Sequence, residues 1–157
     1  MIMRTRKSIA WFLAFSFICS ILLIFHIAIP CAEAAKDVWD GTVATSFAGG
    51  SGSSADPYQI ATGEQLAYLA ALANVNNGSA TNNKYYILTA DIDLDHRTWT
   101  PIGGNWSFCG NFNGNKRIIY NLSIGTPAVP ITSGSWLALF GAITNGTVRD
   151  RGIEDIA

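Results

Sequence analysis

FCGNFNGNKRIIYNLSI, residues 108–124, holds the pattern on which the fold turns. The triplet Asn113-Gly114-Asn115 reads as a turn needing positive φ, and Ile118, Ile119, Leu122 and Ile124 follow in a short apolar run, as a strand requires. Two other stretches share this design. Residues 85–94 carry Ile87, Leu88, Ile92 and Leu94, and residues 137–153 carry Phe140, Ile143, Val148 and Ile153. Matching Ile92-Asp93-Leu94 to Leu122-Ser123-Ile124 gives an offset of 30 (92 to 122), and matching residues 119–124 to 148–153 gives 29 (119 to 148). A fixed period of this length is expected of a solenoid, in which each unit buries its apolar face on its neighbours.

Working outward, Gly49-Gly50-Ser51-Gly52-Ser53-Ser54 closes a Gly- and Ser-rich lead-in over residues 35–55, and Asp56-Pro57-Tyr58-Gln59-Ile60 is a turn entering an extended segment. One helix is expected after it. Thr62 and Gln65 form a T-x-x-Q capping box, Glu64 sits at the positive end of the dipole, and Leu66, Leu69, Ala70 and Ala73 recur at helical spacing until Asn76-Asn77-Gly78. A single amphipathic helix of this kind is expected to cover a β structure.

The first 34 residues distort every average. They hold 24 apolar residues, against 53 in the remaining 123. Arg4, Arg6 and Lys7 precede an apolar run from Ile9 to Ile29, and Ala32-Glu33-Ala34 gives the small-x-small pattern of a signal peptidase site, with Ala32 and Ala34 as its key positions. Cleavage is the favoured reading because Pro30 breaks the run just before the small residues; the competing reading is an uncleaved membrane anchor. Beyond the leader there are seven Lys plus Arg and ten Asp plus Glu, a net charge of −3, which argues against nucleic acid as a partner. All 15 Gly and all 11 Asn also fall there, the composition of a turn-rich, mainly β protein. Cys109 would then stand alone, without a disulfide partner.

Several segments carry a more specific resemblance. Trp39-Asp40-Gly41, residues 56–60, 64–70 and 88–94, and Trp99-Thr100-Pro101-Ile102-Gly103 resemble the start of bacterial surface proteins with the GLUG motif. Residues 108–124 are similar to that family's F-x-G-x-F-D-G-N-G-H-x-I-x-N-L-x-I segment, and Leu139-Phe140-Gly141 with Gly146-Thr147-Val148 resembles the repeat itself, placed at residues 137–153. The departures are Asn113 for Asp, Lys116 for His, Ala138 for Gly and Arg151 at an apolar position. The resemblance implies a right-handed parallel β-helix of the pectin-lyase-like kind with one N-terminal capping α-helix. Residues 56–157 would then hold the cap and about three coils, an incomplete stack that implies further repeats or domains in a full-length form.

Candidate chemistry is sparse. Asp91, Asp93 and Asp95 alternate along one strand face, with Arg97 nearby, and such a row suits calcium or, with a base, glycan cleavage. The competing reading is a solvated outer face. His96 is the only histidine after the leader, too few for a zinc peptidase centre. Trp99, Asn105, Trp106 and Asn111 are candidate ligand contacts, since aromatic faces beside amides suit sugar rings; aromatics at such spacing also face a core.

The expectation is therefore a non-enzymatic protein, secreted or held at the cell surface, without a cofactor, for adhesion, glycan contact or structural display. Its partner would be an extracellular glycan or a cell-surface molecule, with the membrane met only through the leader. The alternatives are a polysaccharide lyase or hydrolase of pectin-lyase-like fold using Asp91, Asp93, Asp95 and Arg97, and the non-catalytic N-terminal segment of a surface zinc protease.

Overall fold

The chain divides into two units, residues 1–34 and 35–157. A computed structural model describes residues 37–124 and 138–154, all in the second unit. The expected leader, with Ala32 and Ala34, lies outside the described residues, as does Leu137.

Among the described residues the chain forms β1 (Asp37–Val38), β2 (Tyr58–Ile60), α1 (Gly63–Ala73), a 3-10 helix (Asn76–Thr81), β3 (Tyr85–Leu88), β4 (Ile92–Asp93), β5 (Asn111–Asn113), β6 (Ile118–Tyr120), β7 (Thr147–Arg149) and β8 (Gly152–Glu154). The strands assemble into two small sheets, β1-β4-β6-β8 and β2-β3-β5-β7, and every pairing between them is parallel. Parallel neighbours need crossover connections, and α1 provides the one between β2 and β3.

The expected right-handed parallel β-helix with an N-terminal cap is corrected by these pairings. Two small sheets of two- to four-residue strands form, and their register follows no fixed period. Tyr58 pairs with Tyr86, Tyr86 with Phe112 and Phe112 with Val148, steps of 28 (58 to 86), 26 (86 to 112) and 36 (112 to 148). In the other sheet Asp37 pairs with Ile92, Ile92 with Ile119 and Ile119 with Ile153, steps of 55 (37 to 92), 27 (92 to 119) and 34 (119 to 153). The offsets of 30 and 29 matched apolar residues that are not neighbours: Ile92 meets Ile119, not Leu122, and Val148 belongs to the other sheet. Nor is α1 a cap before the first strand, because β1 and β2 precede it.

α1 begins as its sequence dictates. Thr62 Oγ1 accepts from the Gln65 N–H at 3.4 Å, while Gln65 Oε1 accepts from the Ala61 N–H at 2.8 Å, one residue earlier than the reciprocal box would place it. Leu66, Leu69, Ala70 and Ala73 are buried, and the helix ends where the Asn74 N–H donates to the Ala70 carbonyl. At its start Gly63 lies against Trp39: a β-carbon there would sit 2.3 Å from Trp39 Cβ, so only glycine fits.

The core lies between the sheets and α1. Tyr86, Leu88 and Phe112 enter it from one sheet, Ile92 and Ile119 from the other, and Leu94, Ile102, Phe108 and Leu122 from the connections. Burying each Leu or Ile stabilises the fold by about 1.5–3 kcal/mol. Trp39 and Trp99 meet edge-to-face at 5.6 Å, and the Trp99 indole N–H donates to the Leu139 carbonyl at 3.2 Å.

One local unit does recur. In Asp93-Leu94-Asp95-His96-Arg97 and in Asn113-Gly114-Asn115-Lys116-Arg117, the first side chain accepts from the N–H two residues on, at 2.9 and 2.8 Å. The third and fourth residues have φ between 51° and 59°, and the fifth N–H closes the turn on the second carbonyl at 2.9 and 2.8 Å. Asn and Asp tolerate the left-handed region better than other non-glycine residues, which is why this chain spends so many of them here.

Candidate functional site: the outer face of a parallel sheet

Strand alternation sends Tyr86, Leu88, Phe112 and Val148 toward the core, so their neighbours in sequence face outward. The parallel register then aligns those outward residues into two rows. Tyr85, Asn111 and Thr147 form one; Gln59, Ile87, Asn113 and Arg149 form the other. Within the first row Thr147 Oγ1 donates to Asn111 Oδ1 at 2.9 Å, which orients the amide and leaves its NH2 turned to donate elsewhere. Arg149, exposed at the row's end, holds a loose 3.9 Å ion pair with Asp150. An open cleft of about 320 Å³ lies over these rows, lined by Ser54, Pro57, Tyr85, Ile87, Asn111, Asn113, Thr147 and Arg149 among others. Chemically this is a shallow face carrying an aromatic ring, amides, a hydroxyl and one cation.

Of the candidate ligand contacts and acidic residues read from the sequence, Asn111 alone lines this cleft. Trp99 is buried in the core at 3% exposure. Trp106 is half exposed, in the loop between Ile102 and Phe108, and the backbone N–H of Asn105 beside it donates to Asn74 Oδ1 at 2.9 Å. The Asn74 amide in turn donates to the Pro101 carbonyl at 2.8 Å, so Asn74 ties this loop to the end of α1.

The acidic row is solvated only in part, with Asp95 exposed and Asp93 inside. Asp93 is buried at 7% exposure, and its Oδ1 accepts from the Asp95 N–H at 2.9 Å and from Asn121 Nδ2 at 2.7 Å. Asp91 Oδ1 accepts from the Ile118 N–H at 3.0 Å. Arg97 pairs with Asp95 at 3.4 Å, while its Nε donates to the Trp39 carbonyl at 3.0 Å. Asp91, Asp93 and Arg97 thus tie the segments of β1, β4 and β6 together, while Asp95 pairs with Arg97, and no group of three or more metal-ligating side chains is found among the described residues. Nearby, Thr42 donates to Asp40 Oδ1 through both hydroxyl and backbone N–H, which holds that exposed carboxyl below the usual carboxylate range.

Tyr85, Thr147 and Arg149 went unread in the sequence. The signal was there: Asn111-Phe112-Asn113 and Thr147-Val148-Arg149 each flank one apolar residue with polar ones, the alternation of a half-buried strand. What was missing was the register that sets the two triplets side by side.

The chain is 35% identical over 142 residues to a protein of Evansella cellulosilytica named as a Gly-rich membrane protein, a match covering 86% of this chain and 14% of that protein. It is 32% identical over 128 residues to the halomucin of Haloquadratum walsbyi, covering 74% of this chain and 1% of the halomucin. The chain thus spans a small part of the curated relatives it matches, and its similarity is to proteins of the membrane or cell surface. No family model matches the chain, and no solved structure matches it. Among the described residues no helix is long and apolar enough to cross a membrane.

Proposed function

We propose that this is an exported, non-enzymatic protein of the cell surface whose outer sheet face makes contact with extracellular glycan. The observation that carries the reading is the pair of in-register rows, Tyr85-Asn111-Thr147 and Ile87-Asn113-Arg149, in which a ring, two amides, a hydroxyl and a guanidinium stand side by side at the roughly 4.8 Å spacing of strands. A polymer with hydroxyls along its length meets such a face through many weak hydrogen bonds and one stacking surface. The similarity to a membrane protein and to a halomucin, and the signal-like leader, support a location at the surface.

Polysaccharide cleavage is the less favoured reading, because Asp91, Asp93 and Arg97 are each spent on a backbone or amide partner. The test is a binding panel of soluble polysaccharides, neutral (dextran, galactan) and uronate-bearing (polygalacturonate), against the full chain. Retention by at least one, weakened by Tyr85→Ala and Asn111→Ala, supports the reading. Retention by none, or depolymerisation of polygalacturonate, overturns it.

A further inference from the structure

Asn-Gly occurs three times in the chain, at Asn77-Gly78, Asn113-Gly114 and Asn145-Gly146. In such a pair no β-carbon shields the glycine nitrogen, which is therefore open to close on the side-chain carbonyl carbon of the asparagine before it. Whether it does so depends on two things: whether that nitrogen is already engaged, and whether the peptide between the two residues is free to turn.

The fold ties down two of the three pairs. Gly78 is buried and its N–H donates to the Val75 carbonyl at 2.9 Å. Gly114 is also buried, and its N–H donates to the Arg149 carbonyl at 2.8 Å, while Asn113 Oδ1 is held by the Asn115 N–H at 2.8 Å. The third pair differs in every respect. Asn145 is exposed at φ 54°, Gly146 is half-buried, and neither the Asn145 side chain nor the Gly146 N–H has a hydrogen-bond partner among the described residues. Topology explains the free nitrogen. The Thr147 N–H donates inward to the Gly110 carbonyl at 3.0 Å, successive N–H groups alternate in side along a strand, and β7 is the edge of its sheet, so the Gly146 N–H points off that edge.

We propose that Asn145 is a site of self-modification, converting to aspartate and isoaspartate in the folded protein while Asn77 and Asn113 persist. The Gly146 nitrogen, deprotonated by hydroxide, attacks Asn145 Cγ. The N–Cγ bond forms, the Cγ–Nδ2 bond breaks, and ammonia leaves with a proton taken back from water. A water molecule then opens the cyclic imide. Opening at Cγ gives aspartate on an unchanged backbone; opening at the main-chain carbonyl gives isoaspartate, in which the backbone runs through the former side chain. Nothing is oxidised or reduced: an amide is exchanged for a carboxylate, water is consumed and ammonia released.

Both products act on the start of β7. Aspartate places a negative charge just before Thr147. Isoaspartate lengthens the main chain there and displaces Thr147 and Arg149 from their register with Asn111 and Asn113, which the Thr147 Oγ1 to Asn111 Oδ1 bond now marks. The inference does not rest on the glycan reading of that face.

The experiment ages the full chain in mildly alkaline heavy-oxygen water, folded and in urea, and follows all three pairs by peptide mapping with enzymatic methylation of isoaspartate. In the folded chain Asn145 takes up heavy oxygen at least about tenfold faster than Asn77 or Asn113, the rate equivalent of the hydrogen bond that must first break at the other two. In urea the three rates converge, because the sequence pair is the same. Asn145→Gln, which would need a larger ring, removes the fast site and leaves the other two as they were. Conversion of Asn77 or Asn113 as fast as Asn145 in the folded chain, no conversion at Asn145, or the same ranking persisting in urea would each overturn the proposal.

Discussion

Asn121 Nδ2 donates to Asp93 Oδ1 at 2.7 Å, joining the end of β6 to β4 across 28 residues. The carboxylate is 7% exposed and also accepts from the Asp95 N–H. Removing this acceptor leaves the Asn121 amide and the Asp95 N–H without their partner, and an unsatisfied buried group costs about 1–3 kcal/mol. Asp93→Ala is therefore expected to lower stability by about that amount in urea unfolding, and a double-mutant cycle with Asn121→Ala to show coupling of about 0.5–3 kcal/mol. Calcium should leave the melting temperature of the parent unchanged; a calcium-dependent rise lost in Asp93→Ala would return the residue to a metal site.

Gly146 lies over the next layer of backbone. A β-carbon there would sit 2.3 Å from the Gly110 carbonyl oxygen, whereas one on Gly152 would meet its nearest neighbour, a side-chain atom of Ile118, at 3.3 Å. Gly146→Ala is expected to cost about 1–3 kcal/mol through forced backbone movement, and Gly152→Ala markedly less. Equal melting temperatures for the two variants would contradict this packing.

Tyr86→Phe removes a buried hydroxyl that has no partner among the described residues. Stability is expected to rise by about 1 kcal/mol, since the group's desolvation is not repaid. The raised folded-state pKa has a sign as well. The neutral phenol is favoured in the folded protein, so its contribution is fully present below the ordinary tyrosine value of about 10 and is lost as pH climbs beyond it. Denaturation between pH 10 and 12 should therefore be less steep in Tyr86→Phe than in the parent.

Expression with export machinery tests the leader. Mass spectrometry of the exported protein is expected to show a chain beginning at Ala35, after the Ala32-Glu33-Ala34 pattern. Recovery of the intact N-terminus from the membrane fraction would make the segment an anchor instead.

Local chemistry was legible in the sequence and long-range register was not. Thr62 and Gln65 marked the start of α1, Asn113-Gly114-Asn115 marked a left-handed turn, and the short apolar runs marked strands. The matched offsets of 30 and 29 failed because apolar triplets such as Ile92-Asp93-Leu94 carry no information about which neighbour they will meet. Connections of unequal length set that, as the 26- and 36-residue steps on either side of Phe112 show. Asp93 departs from the solvated-face reading for a related reason. Strand alternation places Asp93 outward on paper, but β4 ends at Asp93 and the turn folds its carboxylate back over the Asp95 N–H. Asn111 was found for its amide, while Tyr85, Thr147 and Arg149 became visible only once the parallel pairing set three strands side by side.

The most direct test of the outer-face reading is hydrogen–deuterium exchange of the full chain with and without a polysaccharide that it retains. The account predicts slowed exchange confined to β3, β5 and β7 and the segment around Ser54 and Pro57, and loss of that protection in Asn111→Ala. Protection centred on residues 91–97, or none at any strand of this sheet, would contradict it.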